Sequence, residues 1–119
     1  MKSLILVLCF LPFFGAKSVN GLRRFLQISD IHLDVKYLEG GNVKKPNMCR
    51  TTPGSASKFG SYSCDSPRIL VESAFLAMKK QISDPEFILW TGDSSAHDET
   101  LNTSDVMSNL RFVTQKLHK

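Results

Sequence analysis

The 119-residue sequence lacks an apolar stretch of the roughly 20 residues that a membrane span needs. Its strongest apolar run covers only residues 4–14. This run follows the basic Lys2 and precedes two small residues, a pattern typical of a secretory signal peptide. We therefore expect a signal peptide at 1–18 and a mature chain at 19–119, with an uncleaved membrane anchor as the alternative.

A large excess of positive charge is also missing. Without residues 1–18, the chain has 13 basic residues against 11 acidic ones, and no basic stripe alternates with aromatic residues. Nucleic-acid binding is therefore not expected. Because no transmembrane segment is predicted in the mature chain, any membrane contact would be peripheral.

Cysteine is scarce, with three residues in all. Cys9 falls inside the expected signal peptide, so the mature chain keeps Cys49 and Cys64. An even pair in a secreted chain predicts a disulfide, which would contribute about 3 kcal/mol by closing a loop of about 15 residues. A zinc site at this pair is the alternative. Asn102 begins the sequon Asn-Thr-Ser and is the candidate N-glycosylation site.

Two segments, 25–32 and 87–97, are apolar runs that each end abruptly in an aspartate. Such runs are typical of buried parallel strands, and ligands gather beyond the carboxyl ends of these strands. Asp30 and His32 follow the first run, and Asp93 follows the second. Carboxylate oxygens and an imidazole nitrogen suit a divalent cation, so the sequence predicts a metal site. For Asp30 alone, a hydrogen-bonded turn at the strand end is the simpler interpretation.

The remaining pattern predicts an α/β fold. Strands are expected at 22–29 and 86–91, with an irregular stretch at 34–63 between them. A first helix should begin at Ser66-Pro67, with Ser66 as its cap, and end at Asp84-Pro85. A second helix is expected at 103–117. This order is one βαβ unit with a trailing helix, and such units have parallel strands.

Apolar residues predict which sides are buried. Phe87 and Trp90 are expected in the core of the sheet. The residues at helical spacing in the first helix are Ile69, Leu70, Ala74, Ala77, Met78 and Ile82.

The two strand-end segments resemble known motifs. Asp30-Ile31-His32 and Gly92-Asp93 resemble the first two motifs of calcineurin-like metallophosphoesterases. The segments 64–67 and 87–97 are similar to those of acid sphingomyelinase-like phosphodiesterases of the 3A/3B type. This resemblance implies the N-terminal βαβ portion of a metallophosphoesterase α/β sandwich. It also implies metal-dependent hydrolysis of phosphodiester bonds in nucleotides or phospholipid head groups, in a secreted or lysosomal protein.

The resemblance also implies roles for single residues. Asp30 and His32 would bind the first of two metals, usually zinc, and Asp93 would bridge both. His97 would lie near the leaving group, as an acid or an orienting residue. The pair Cys49 and Cys64 would match a disulfide of the family.

The later motifs of this family, Gly-Asn-His and Gly-His-x-His, occur nowhere in the sequence. The one other histidine is His118, near the last residue. The second metal site is therefore incomplete, and we expect negligible catalysis from a chain that represents an N-terminal fragment. The alternatives are a non-catalytic secreted glycoprotein and an unstable truncated isoform. Of these two alternatives the unstable truncated isoform is favoured, since half a sheet would leave an exposed edge.

Overall fold

The computed structural model describes residues 24–46 and 48–118. The expected signal peptide at 1–18, which includes Cys9, lies outside the described residues. The elements in chain order are β1 (Leu26–Ile28), β2 (Leu33–Asp34), β3 (Ser66–Pro67), α1 (Arg68–Gln81), β4 (Ile88–Trp90) and α2 (Thr103–Leu117). The predicted α/β class is confirmed. Within the described ranges, neither helix has the length and apolar character that a bilayer crossing would need.

Strands β1 and β4 pair in parallel, as predicted, with Leu26 opposite Ile88. The end residues of both strands are half-buried, whereas the middle residues are exposed. The sheet therefore turns one face toward the helices. Phe87 was expected in the core but is 53% exposed, and its ring stacks on that of Phe25 at 4.9 Å between centroids. The expectation is wrong because side chains two residues apart in a strand point to the same face, and Phe87 therefore lies with Leu89 on the uncovered face of the sheet.

A second parallel pair, β2 with β3, was not predicted. Leu33 pairs with Ser66 on one side and forms an isolated parallel bridge with Ser95 on the other. The pair has two residues per strand, which is too short to leave a period-two pattern in the sequence. It places Leu33, only 1% exposed, at the junction between the two strand pairs.

The buried side of helix α1 matches the prediction only in part, since Met78 packs against the core and Ile69 and Ile82 are half-buried. Val71 and Phe75 are buried, whereas Leu70, Ala74 and Ala77 are exposed. Ser66 is not the cap, because it pairs in β3. Pro67 occupies the N-cap, with no side-chain cap hydrogen bond in the described part of the chain. The hydrophobic core cluster joins both helices to the segment after β1 and comprises Ile31, Leu33, Val71, Phe75 and Val113.

Helix α2 begins with a capping box at Asn102. The Asn102 side chain accepts a hydrogen bond from the Asp105 N–H at 3.0 Å, and the Asp105 carboxylate accepts one from the Asn102 N–H at 3.1 Å. Further along the helix, the buried Asn109 side chain donates to the Leu33 carbonyl at 3.1 Å. This hydrogen bond satisfies a buried amide and fixes α2 against β2.

We predict that Phe75→Ala lowers the free energy of unfolding by about 3–5 kcal/mol, because the substitution leaves a cavity in the core. Leu76→Ala is the matched control. Leu76 is 69% exposed, so its loss should change stability by less than about 0.5 kcal/mol. Urea denaturation followed by circular dichroism measures both values. Equal effects of the two substitutions would contradict this description of the core.

Candidate metal centre

Parallel hydrogen bonding continues beyond the ends of β1 and β4. The Thr91 N–H donates to the Ile28 carbonyl at 3.1 Å, and the Asp30 N–H donates to the Gly92 carbonyl at 3.2 Å. Two residues later, the His32 N–H donates to the carbonyl oxygen of residue 93 at 3.3 Å. The two strand-end segments are therefore joined along their length, and the candidate ligands they carry come together at one edge of the sheet.

The three candidate ligands have an unusual backbone conformation. The φ angles of Asp30, His32 and Asp93 are 53°, 43° and 50°. Few residues other than glycine adopt this left-handed region, and such residues concentrate at functional sites. Gly92, with φ of 96°, supplies the turn before Asp93. The backbone thus supports a functional interpretation of these three positions.

The side chains of Asp30, His32 and Asp93 form a group of donors suited to a cation. One ligand atom from each lies within 4.8 Å of the others, and His32 Nε2 is 3.5 Å from Asp93 Oδ2. His32 Nδ1 lies 3.1 Å from the Ser95 carbonyl oxygen. Because a carbonyl only accepts, Nδ1 carries the hydrogen and Nε2 keeps its lone pair. This second hydrogen bond is typical of a metal-binding histidine, so the donor set fits a divalent cation.

His97 lies beside this group. Its ring stacks on that of His32, with 4.4 Å between centroids and 22° between planes. His97 Nδ1 is 2.8 Å from Asp65 Oδ1, and the His97 N–H donates to Asp65 Oδ2, also at 2.8 Å. The position of His97 near the site was predicted from the sequence, whereas the contact with Asp65 was not.

Several known proteins align with most of this chain. Human acid sphingomyelinase-like phosphodiesterase 3b is 36% identical over 112 residues, which are 88% of this chain and 24% of that protein. Sphingomyelinase phosphodiesterase C of Dictyostelium discoideum is 36% identical over 100 residues, covering 76% of this chain and 22% of the relative. The endopolyphosphatase of Debaryomyces hansenii is 35% identical over 97 residues, covering 79% of this chain and 13% of the relative.

The chain is homologous over a partial region to these proteins, which belong to the metallophosphoesterase superfamily. It spans about a quarter or less of the length of these curated relatives. No protein-family model matches the chain. The α/β arrangement with two parallel strand pairs is consistent with an N-terminal part of the metallophosphoesterase fold.

The charged residues behind His97 form a largely buried network. Arg50 Nη2 donates to Asp65 Oδ2 at 3.3 Å, and Arg50 Nε donates to Asp34 Oδ2 at 2.8 Å. Asp34 and Asp65 are both buried. This network was not predicted from the sequence, because Arg50 lies in a stretch without periodicity. The available signal was position, since Arg50 and Asp65 each directly follow a cysteine of the predicted disulfide.

Cys49 and Cys64 are joined by a disulfide in the structure. The bridge closes the irregular stretch that the sequence left without regular elements. Cys49 is fully buried. The alternative zinc site at this pair is therefore not formed.

Two groups have shifted pKa values. The Asp65 carboxylate raises the pKa of His97 above its usual value of 6.5, first by accepting a hydrogen bond from the ring and second by its charge. Hydrogen bonds from Thr100 and Lys36 hold the pKa of Asp98 far below its usual range. His97 thus holds a proton more strongly than an isolated histidine does.

The raised pKa of His97 predicts a pH-dependent stability. The interaction with Asp65 stabilises the fold fully below the usual pKa of 6.5, and this contribution is lost as the pH rises through the higher folded pKa. We expect the free energy of unfolding to fall over that interval and His97→Gln to flatten the change. The measurement is urea denaturation at a series of pH values in a chelator. His118→Gln, at the exposed end of α2, is the control and should keep the pH dependence. If the free energy of unfolding of the unmodified chain does not change with pH over this interval, the prediction is wrong.

Proposed function

We propose that Asp30, His32 and Asp93 bind one divalent cation, with zinc as the preferred ion, as the first half of a phosphoesterase centre. The carrying observation is the convergence of an imidazole nitrogen and two carboxylates from two hydrogen-bonded strand ends. A bound cation would polarise the phosphoryl oxygens and activate a water molecule for attack on phosphorus. Zinc accepts this mixture of nitrogen and oxygen ligands.

The residues of this chain would share the remaining tasks. His32 would present Nε2 to the ion, while its Nδ1–H holds the ring against the Ser95 carbonyl. The Asp93 carboxylate is exposed, so one oxygen can serve this ion and the other a second ion. His97, next to His32, would donate a proton to the leaving oxygen or orient it.

The substrate class follows from the relatives. Their names describe sphingomyelinase-type phosphodiesterases and an endopolyphosphatase, and both classes of reaction cleave a phosphorus–oxygen bond. We propose for the complete protein the hydrolysis of phosphodiester bonds in nucleotides or phospholipid head groups, or of phosphoanhydride bonds.

We also propose that the protein enters the secretory route and functions outside the cell or in lysosomes. Residues 1–18 would be its signal peptide and residues 19–119 the N-terminal part of the metallophosphoesterase domain. Asn102 would carry a glycan. Its exposed position at the start of α2 supports this proposal, because the side-chain oxygen makes the cap and the amide nitrogen is the atom that a glycan would occupy.

The metal proposal is tested by titrating zinc into the metal-free chain and measuring the heat released. Asp93→Asn removes one carboxylate ligand and should weaken zinc binding by more than about tenfold, since even residues behind a ligand change affinity by about 10–100-fold. Asp84→Asn is the matched control, because Asp84 is exposed just beyond α1. Equal affinities for the two variants would reject the site.

Catalysis by the 119-residue chain is a separate question. We predict no hydrolysis of bis-p-nitrophenyl phosphate above that of zinc alone, because the motifs that would supply the other ligands of a second ion do not occur in this sequence. Absorbance of released nitrophenolate gives the rate. Turnover that Asp93→Asn abolishes would show that the chain is an enzyme by itself. If neither turnover nor zinc binding occurs, two alternatives are left. A sharp cooperative thermal transition would favour a non-catalytic glycoprotein, whereas rapid proteolysis would favour an unstable isoform.

A further inference from the structure

We propose that Asp65 is the positioning residue of His97, and that Arg50 and the Cys49–Cys64 bridge hold Asp65 in place. The proposal rests on the proposed function only for the role assigned to His97. The positioning itself is a property of the metal-free chain. It can therefore be tested without metal binding or turnover.

The Asp65 carboxylate fixes His97 at two points. One oxygen faces ring atom Nδ1 and the other accepts the backbone N–H of the same residue, both at 2.8 Å. This pair of contacts restrains the backbone and the side-chain rotation together. Because the carboxylate is an acceptor, it selects the tautomer with hydrogen on Nδ1 and leaves Nε2 as the nitrogen able to exchange a proton.

The support behind Asp65 is buried and charged. Asp65 is 7% exposed and Arg50 has a side-chain exposure of 16%, whereas the His97 side chain is 68% exposed. Arg50 spans from Asp65 to Asp34, the last residue of β2. An exposed histidine is thus held by a carboxylate that is itself anchored to the sheet.

The disulfide ties together the two residues that make this support. Arg50 directly follows Cys49, and Asp65 directly follows Cys64. The covalent bridge keeps the two ends of the irregular loop adjacent, so the guanidinium and the carboxylate meet without a regular element between them. The loop 50–63 therefore has a function at the candidate site although it contributes none of the proposed metal ligands.

A competing interpretation makes Asp65 a ligand of another cation. His32, Asp65 and His97 each offer an atom within 4.8 Å of the others. Both Asp65 oxygens are already occupied by donors from His97 and Arg50. Ligation would require breaking these contacts at a buried carboxylate, so the arrangement favours positioning over metal binding.

The test is the tautomer of His97 in the full chain, measured by nuclear magnetic resonance correlations between the nitrogens and carbons of the ring. The buffer contains no zinc, and its pH is high enough that the His97 imidazole is neutral. We expect the Nδ1–H tautomer to predominate in the unmodified chain. In Asp65→Asn, the amide can donate to Nδ1, so this preference should be lost or reversed. Replacing a carboxylate by an amide beside a catalytic histidine selects the wrong tautomer by the same logic.

Asp84→Asn is the control and should leave the tautomer unchanged. The His118 ring, at the exposed end of α2, serves as an internal reference in every spectrum. If Asp65→Asn unfolds, the unmodified chain still decides the question. An even mixture of tautomers there, or Nε2–H in excess, would overturn the proposal, as would Nδ1–H retained in a folded Asp65→Asn variant. If zinc does not bind but the Nδ1–H tautomer of His97 predominates, only the metal proposal is rejected.

Discussion

The parallel hydrogen bonds beyond the strand ends are the interaction on which the rest of the molecule depends. Each hydrogen bond contributes only about 0.5–1.5 kcal/mol net, so they do not stabilise this edge alone. Their register matters more, because side chains alternate along the segment after β1. Ile31 and Leu33 enter the core, while Asp30 and His32 face the candidate site. The same few residues thus provide the hydrophobic anchor and the candidate metal donors.

The buried charges supply a second constraint on this edge. Burying ions costs several kcal/mol each and is offset only where the partners meet with good geometry. Arg50 satisfies two buried carboxylates, Asp34 on β2 and Asp65 beside β3. The network therefore adds specificity rather than a large net stability. It determines where the disulfide loop lies, and through Asp65 where His97 lies.

Sequence patterns predicted the features that depend on neighbouring residues. The two strand ends were identifiable because an apolar run followed by aspartate occupies fewer than ten residues. The disulfide was identifiable because only two cysteines lie outside the expected signal peptide. Asp65 was missed because its partner His97 is 32 positions away and Arg50 lies in an irregular loop. The buried side of α1 was predicted only in part, because its apolar residues nearly encircle the helix. Val71 and Phe75 are buried in the cluster with Ile31, Leu33 and Val113.

The ligand count limits what this edge can do chemically. Asp30, His32 and Asp93 would give one cation a partial coordination sphere in the proposed site, and solvent would complete it because two of the three side chains are exposed. The same openness leaves the uncovered sheet face with Phe25, Phe87 and Leu89 in contact with water. Ion binding requires only the preformed donors, whereas phosphoryl transfer at a binuclear centre requires a second ion clamped opposite the first. The three donors therefore support the proposal that this chain binds a metal ion, and its lack of turnover is a separate prediction.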